Sequence, residues 1–141
     1  NFLFDIGGEI ITNGSKHGVP WLIGIQNPSI IQNQSIMEIS SSNFLAVATS
    51  GEYRNQKIND IGEIISHTFV PNTKLSIEDK SYSVTVASDE SSMIADAWAT
   101  ALNVLGPEKG IQLANEQGIA VMYIMKKENN IIKSKSWNYS D

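Results

Sequence analysis

The apolar residues of this chain change their period at Ser88, and that change limits the fold more than any other feature. From residue 2 to about residue 87 they come in short runs separated by Gly, Asn, Ser and Pro, the punctuation of strands and turns. Strands are expected at Phe2 to Ile6, Glu9 to Thr12, Pro20 to Gln26, Ile36 to Ser40, Phe44 to Ser50, Glu63 to Phe69 and Tyr82 to Ala87. Gly7-Gly8 predicts a tight hairpin, because glycine reaches the positive φ such turns require. Asn13-Gly14 opens a polar loop reaching Gly18. Beyond Ser88, Met93, Ala97, Ala101, Leu102 and Leu105 recur at helical spacing, predicting a helix capped by Ser91 or Ser92 and stopped by Gly106-Pro107. A second, short helix is expected from Pro107 to about Glu116, with Gly118 at its end. Strands return at Ile119 to Met125 and Ile131 to Ser136, around a Glu128-Asn129-Asn130 turn. Strands followed by helices give an α+β class: mainly antiparallel sheet with a helical pair in the C-terminal half.

Composition narrows the chemistry. With 41% hydrophobic and 18% charged residues over 141 positions, the chain suits one compact domain. Ten Lys and Arg against fifteen Asp and Glu leave a net charge of -5, so there is no basic footprint for nucleic acid. The absence of cysteine excludes disulfides, Cys-ligated metal and a catalytic thiol, and two histidines leave little for a His-rich site. Any metal must be held mainly by oxygen. No apolar run approaches the roughly 20 residues needed to cross a bilayer, so the chain reads as soluble. Asn1 leads directly into Phe2-Leu3-Phe4-Asp5-Ile6, with neither an initiator Met nor a polar lead-in, and this predicts a fragment or a processed product.

Three groups of residues can carry chemistry. Asp96 and Thr100 stand four apart on the Ala-rich helix, so roughly 40° separates them and their oxygens can converge on one point. A hard cation such as Mg²⁺ accepts such oxygens and completes its shell with water and phosphate. The plainer reading is a carboxylate in the first half of a helix, facing solvent. His67 ends the run Ile64-Ile65-Ser66 and enters Thr68-Phe69-Val70-Pro71-Asn72-Thr73, where an imidazole could move a proton or position a phosphate; its plain alternative is a hydrogen-bonded strand-end histidine. His17, in a Gly-rich loop, reads as solvated. Thr49-Ser50-Gly51-Glu52-Tyr53 is a hydroxyl-rich strand end whose amides could hold an anion, or simply a β-turn. Ser50 has neither a nucleophile elbow nor a nearby base. Trp21, Trp98 and Trp137 are scattered, and packing is the default reading for each.

In order along the chain, Phe4-Asp5-Ile6-Gly7-Gly8-Glu9, Trp21-Leu22-Ile23-Gly24-Ile25 with Asn27-Pro28, Ala48-Thr49-Ser50-Gly51-Glu52-Tyr53, Ser66-His67-Thr68 with Pro71-Asn72-Thr73, and Ala95-Asp96-Ala97-Trp98-Ala99-Thr100-Ala101-Leu102 resemble the ApbE family of flavin transferases. The likeness covers nearly the whole chain and corresponds to the C-terminal half of a typical member, so residues 1–141 are expected to be the C-terminal portion of such a domain, its upstream portion absent. The resemblance implies a T-fold-like architecture and Mg²⁺-dependent transfer of FMN from FAD to a threonine hydroxyl of an acceptor protein, with release of AMP. It further implies Asp96 and Thr100 as metal ligands, and His67 as the group that activates the hydroxyl or holds the phosphate. Thr68 and Phe69 would lie against the flavin nucleotide, with Ser50 and Gly51 near the pocket. An acceptor such as a membrane redox-complex subunit, and a location outside the cytoplasmic membrane through an anchor upstream, follow from the same likeness.

Val70 stands where the family usually has aspartate, and Lys74 where it has glycine. Those departures motivate an alternative, a non-catalytic module that binds or delivers flavin. The composition also permits an adhesive β-rich domain without a cofactor. The family's upstream segment supplies further flavin contacts and a metal-binding carbonyl, so these residues alone are expected to hold half a site and to bind FAD poorly.

Overall fold

The computed structural model describes residues 1–28, 34–51, 57–58, 64–65, 71, 82–127 and 130–139. Its strands are β1 (Phe2–Ile6), β2 (Glu9–Asn13), β3 (Ser15–Lys16), β4 (Val19–Gln26), β5 (Ser35–Ser41), β6 (Leu45–Ser50), β7 (Lys57–Ile58), β8 (Ile64–Ile65), β9 (Tyr82–Ser88), β10 (Ala120–Met125) and β11 (Ile131–Lys133). Two helices, α1 (Ser92–Leu105) and α2 (Pro107–Gln117), fall between β9 and β10. A six-stranded sheet in the order β1-β2-β6-β9-β10-β11 forms the frame, and its adjacent strands pair antiparallel. The expected α+β class, sheet plus helical pair, is what the chain adopts.

Strand alternation sorts side chains to the two faces of this sheet. On one face Ala46, Ala48, Val84, Val86, Val121 and Tyr123 pack against Ala95, Ala99 and Leu102 of α1 and Ala114 of α2. On the other, Leu45, Val47, Ala87, Met122 and Ile124 pack against Ile23, Ile25, Met37 and Ile39 of the β4–β5 hairpin, with Trp137 closing that layer. The molecule is thus three layers: helices, sheet, hairpin.

Local chemistry explains the boundaries. Gly7 and Gly8 both have positive φ, 67° and 102°, which lets β1 turn directly into β2. Ser91 Oγ accepts the Met93 amide at 3.2 Å and caps α1. At the other end of α1, the Tyr123 hydroxyl donates to the Leu102 carbonyl at 2.8 Å, beside the Gly106 amide at 3.0 Å, and the Tyr82 hydroxyl donates to the Asn103 carbonyl at 3.0 Å, so two buried phenols hold the last turn. Burial raises Tyr82 to about 12, and burial together with the neighbouring Tyr82 raises Tyr123 further.

Three local expectations change. The loop expected over residues 13–18 contains β3, which pairs with the start of β4 around His17, itself at φ 52°. The last strand stops at Lys133, because Ser134 turns inward: its hydroxyl donates to the Ile119 carbonyl at 2.7 Å and accepts the Val121 amide at 3.0 Å. The buried stripe of α1 is Ala95, Ala99 and Leu102, whereas Met93, at 75% exposed, Ala97, Ala101 and Leu105 face outward.

Candidate functional site

Ser50, Gly51 and the Gly7-Gly8 turn meet at one end of the sheet. Ser50 lies opposite Val84, so Ser50 and Gly51 stand at the end where β9 begins. Because Ile10 lies opposite Val47 in an antiparallel pair, the Gly7-Gly8 turn reaches the same end. The C-terminal turn of α1 is held there as well, by the Tyr82 bond to Asn103. Between Gly51 and Tyr82 in the sequence, β7 and β8 pair with each other, Lys57 opposite Ile65. His67, Thr68 and Phe69 lie outside the described residues, as do Val70 and Lys74.

Asp96 and Thr100 are both exposed on the outer flank of α1. Ile94 and Trp98, on the opposite flank, face the β10 side, where they line a cavity with Ile119 and Ala120. Asp96 and Thr100 therefore overlook the β2–β1 side of the sheet. Ser50 follows Ala46 and Ala48 by the two-residue period, which directs its side chain to the same, helix-bearing face. The structure thus brings Asp96, Thr100 and Ser50 to one face. A carboxylate and a hydroxyl one helical turn apart, both open to solvent, suit the oxygen preference of Mg²⁺. Among the described residues no group of three or more His, Cys, Asp and Glu could hold a metal, so a cation at Asp96 and Thr100 would need water, phosphate or other groups to complete its shell.

The reverse face adds a feature the sequence did not flag as a site. A small cavity of about 190 Å³ is lined by Asp5, Gly8, Gly24 and Thr49, drawn from three of the quoted motifs, together with Ile10, Ile25, Gln26 and Val47. Asp5 accepts the Gly8 amide at 3.0 Å, and the Thr49 and Thr85 hydroxyls are 2.9 Å apart. The signal was present in the sequence as glycines, a carboxylate and a threonine, but they belong to separate strands and a turn, and nothing in their order joins them. A larger cavity, about 750 Å³, lies at the other end of the sheet, between the start of α1 and residues 135–139, away from Ser50.

Among the described residues no helix is long and apolar enough to cross a membrane. The ApbE family profile matches residues 1–123. The FAD:protein FMN transferase of Vibrio cholerae is 42% identical over 130 residues, 92% of this chain and 38% of the relative. That of Escherichia coli K12 is 37% identical over 136 residues, 94% of this chain and 37% of the relative. Among solved structures, the flavin transferase ApbE of Vibrio cholerae superposes with a TM-score of 0.73 at 34% identity, over 96% of this chain and 42% of that one. The apo flavinyl transferase ApbE of Pseudomonas stutzeri gives 0.74 at 35%, over 96% and 44%. The chain spans about two-fifths of the curated relatives it matches, as their C-terminal portion. With its profile match, its relatives and its three-layer architecture in agreement, the chain belongs to the ApbE family.

Proposed function

We propose that this chain forms part of an enzyme that transfers FMN from FAD to a threonine hydroxyl of an acceptor protein and releases AMP. In that reaction the hydroxyl oxygen forms a bond to the phosphorus on the riboflavin side of the pyrophosphate. The bond from that phosphorus to the bridging oxygen breaks, AMP leaves with the electron pair, and the hydroxyl proton passes to a base. His67 is the candidate base, since an imidazole is part-neutral near pH 7 and can accept that proton. The observation carrying the reading is Asp96 and Thr100, one turn apart on the exposed flank of α1, above the sheet face that also carries Ser50. These two residues would hold Mg²⁺, which when bound neutralises charge on the pyrophosphate and the departing phosphate. Ser50 and Gly51, at the strand end, offer a hydroxyl and amides to the nucleotide, with Thr68 and Phe69 beside it.

The proposal extends to a protein acting outside the cytoplasmic membrane, anchored through a segment beyond this chain, on an acceptor such as a membrane redox-complex subunit. Fractionation of cells producing the complete protein tests the location. The activity is tested with a polypeptide of full family length, FAD, Mg²⁺ and a candidate acceptor, by mass spectrometry of the acceptor. Covalent FMN that disappears with Asp96→Ala and with His67→Ala supports the transfer and both roles. An adduct indifferent to both substitutions removes the site assignment. FAD binding without an adduct favours the non-catalytic flavin module suggested by Val70 and Lys74.

A further inference from the structure

The second flank of α1 faces the cavity of about 750 Å³ at the end of the sheet away from Ser50. It lies where β9 ends and β10 begins, Ala87 opposite Ala120, between the start of α1, the end of α2 and residues 135–139. A volume of that size suits a small organic ligand and is far larger than a bare ion needs. The inner wall is apolar, with Ile94 and Trp98 from α1 and Ile119 and Ala120 where β10 starts. Tyr139 lines the other side, its ring T-shaped to that of Trp137 with centroids 5.4 Å apart. Charge around the rim is uneven. Asp89 and Glu90 are both exposed, and among the described residues neither carboxylate is paired with a Lys or Arg. Helix α2 ends here at Gln117 and Gly118 with no basic residue in its last turn, so its final carbonyls add partial negative charge. Lys135 is the one cation among the lining residues. Burial, and after it the Asp89 carboxylate, push the Tyr139 phenol above its ordinary pKa, which sets that negative charge beside the aromatic wall. The amides at the start of α1 offer little to an anion: Ser88 Oγ accepts those of Glu90 and Ser91, and Ser91 Oγ accepts that of Met93.

We infer that this cavity binds an organic cation, a guanidinium or alkylammonium group on an apolar stem. The stem leaves water along Ile94, Trp98 and Ile119, and the charged end sits by Asp89 and Glu90 near the Tyr139 ring. Charge complementarity selects this ligand. An anion would find two carboxylates and a helix C-terminus against it and Lys135 alone in its favour. A neutral ligand would leave both carboxylates without a partner. A divalent metal wants a shell of oxygens, whereas most of the enclosing wall is indole and aliphatic carbon. Two sources carry the same chemistry, a free amine and the Lys or Arg side chain of a protein. The inference is independent of the proposed reaction, because Asp96 and Thr100 stand on the other flank of α1 and no residue assigned to flavin transfer lines this cavity.

Trp98 reports the site directly. In the complete protein labelled with ¹⁵N in its indole rings, the signal that a Trp98→Phe variant lacks belongs to Trp98. Butylguanidinium is expected to shift that signal saturably and to leave Trp21, on the hairpin layer, in place. Butylurea has the same shape without the charge and should bind about ten-fold more weakly. Asp89→Asn combined with Glu90→Gln should weaken butylguanidinium by about ten-fold as well. Lys135→Gln, which removes the opposing charge, should tighten it. All three side chains are exposed, so an unchanged urea midpoint will show that these variants stay folded. Equal binding of butylurea and butylguanidinium, tighter binding of butyrate, indifference to the Asp89 and Glu90 changes, or no shift at Trp98 would each overturn the inference. N-acetyl-arginine methylamide run beside agmatine separates the two sources: preference for the first assigns the site to a protein side chain, preference for the second to a free amine, and both uphold the cation. Loss of flavin transfer does not move the Trp98 signal, so the proposed reaction and this site fail separately.

Discussion

At the scale of single residues, the sharpest constraint is the contact between Gly110 and Tyr123. A Cβ on Gly110 would run into the Tyr123 hydroxyl, which donates to the Leu102 carbonyl at 2.8 Å and the Gly106 carbonyl at 3.2 Å. Gly110→Ala should therefore destabilise by about 1–3 kcal/mol, as an overpacked core position does, whereas an ordinary Gly→Ala change within a helix stabilises. Urea denaturation gives the sign. Tyr123→Phe removes the hydroxyl's bonds to the Leu102 and Gly106 carbonyls, which keep the Gly106 and Gly110 amides as donors, at a cost of about 1 kcal/mol. Asp96 and Thr100 behave oppositely. Both are exposed, so replacing either by Ala should change stability by no more than about 0.5 kcal/mol. Any loss of flavin transfer on these substitutions, with an unchanged denaturation midpoint, then reports on chemistry instead of folding.

At the scale of elements, α1 organises one end of the molecule. Its N-terminus depends on Ser91, whose hydroxyl takes up the Met93 amide, and Ser91→Ala should cost about 1 kcal/mol in a thermal or urea melt. Ser92→Ala, at the first helical position, should cost clearly less, which separates the two cap candidates that the sequence leaves equal. The rotation of this helix was not legible from its sequence. Alanines occur on every side of it, so Ala97 and Ala101 fit an apolar stripe as well as Ala95 and Ala99 do. Depth was decided by the partner surface: Ala95 and Ala99 are buried in one core with Ala46 and Ala48 of β6. The turns were more legible. Gly7-Gly8, Gly106-Pro107 and Gly118 each end an element where the sequence predicts it, because backbone sterics act over a few residues and need no tertiary partner.

At the scale of the whole molecule, burial of two phenols couples folding to alkaline pH. Tyr82 is raised from its ordinary 10.0 to about 12 because ionising it in place would put a charge in the core. A pKa raised in the folded state means the stabilisation is complete below pH 10 and is lost as pH climbs towards 12, where the unfolded chain releases the proton more easily. The denaturation midpoint should hold steady through neutral pH and fall across that window, and Tyr82→Phe should flatten the fall. What the sequence determined by itself was local: the strands of a sheet, a capped alanine-rich helix, and a carboxylate and hydroxyl one turn apart on it. These depend on periodicity and on short-range sterics, which a single chain displays in its order of residues. The tertiary structure alone decided which face of α1 was buried, that Gly8, Gly24 and Thr49 from three separate segments would line one cavity, and that Asp96 and Thr100 would look over the β2–β1 side of the sheet. Those outcomes turn on strand order and helix placement, contacts between residues distant in sequence whose energies exist only once the layers have met.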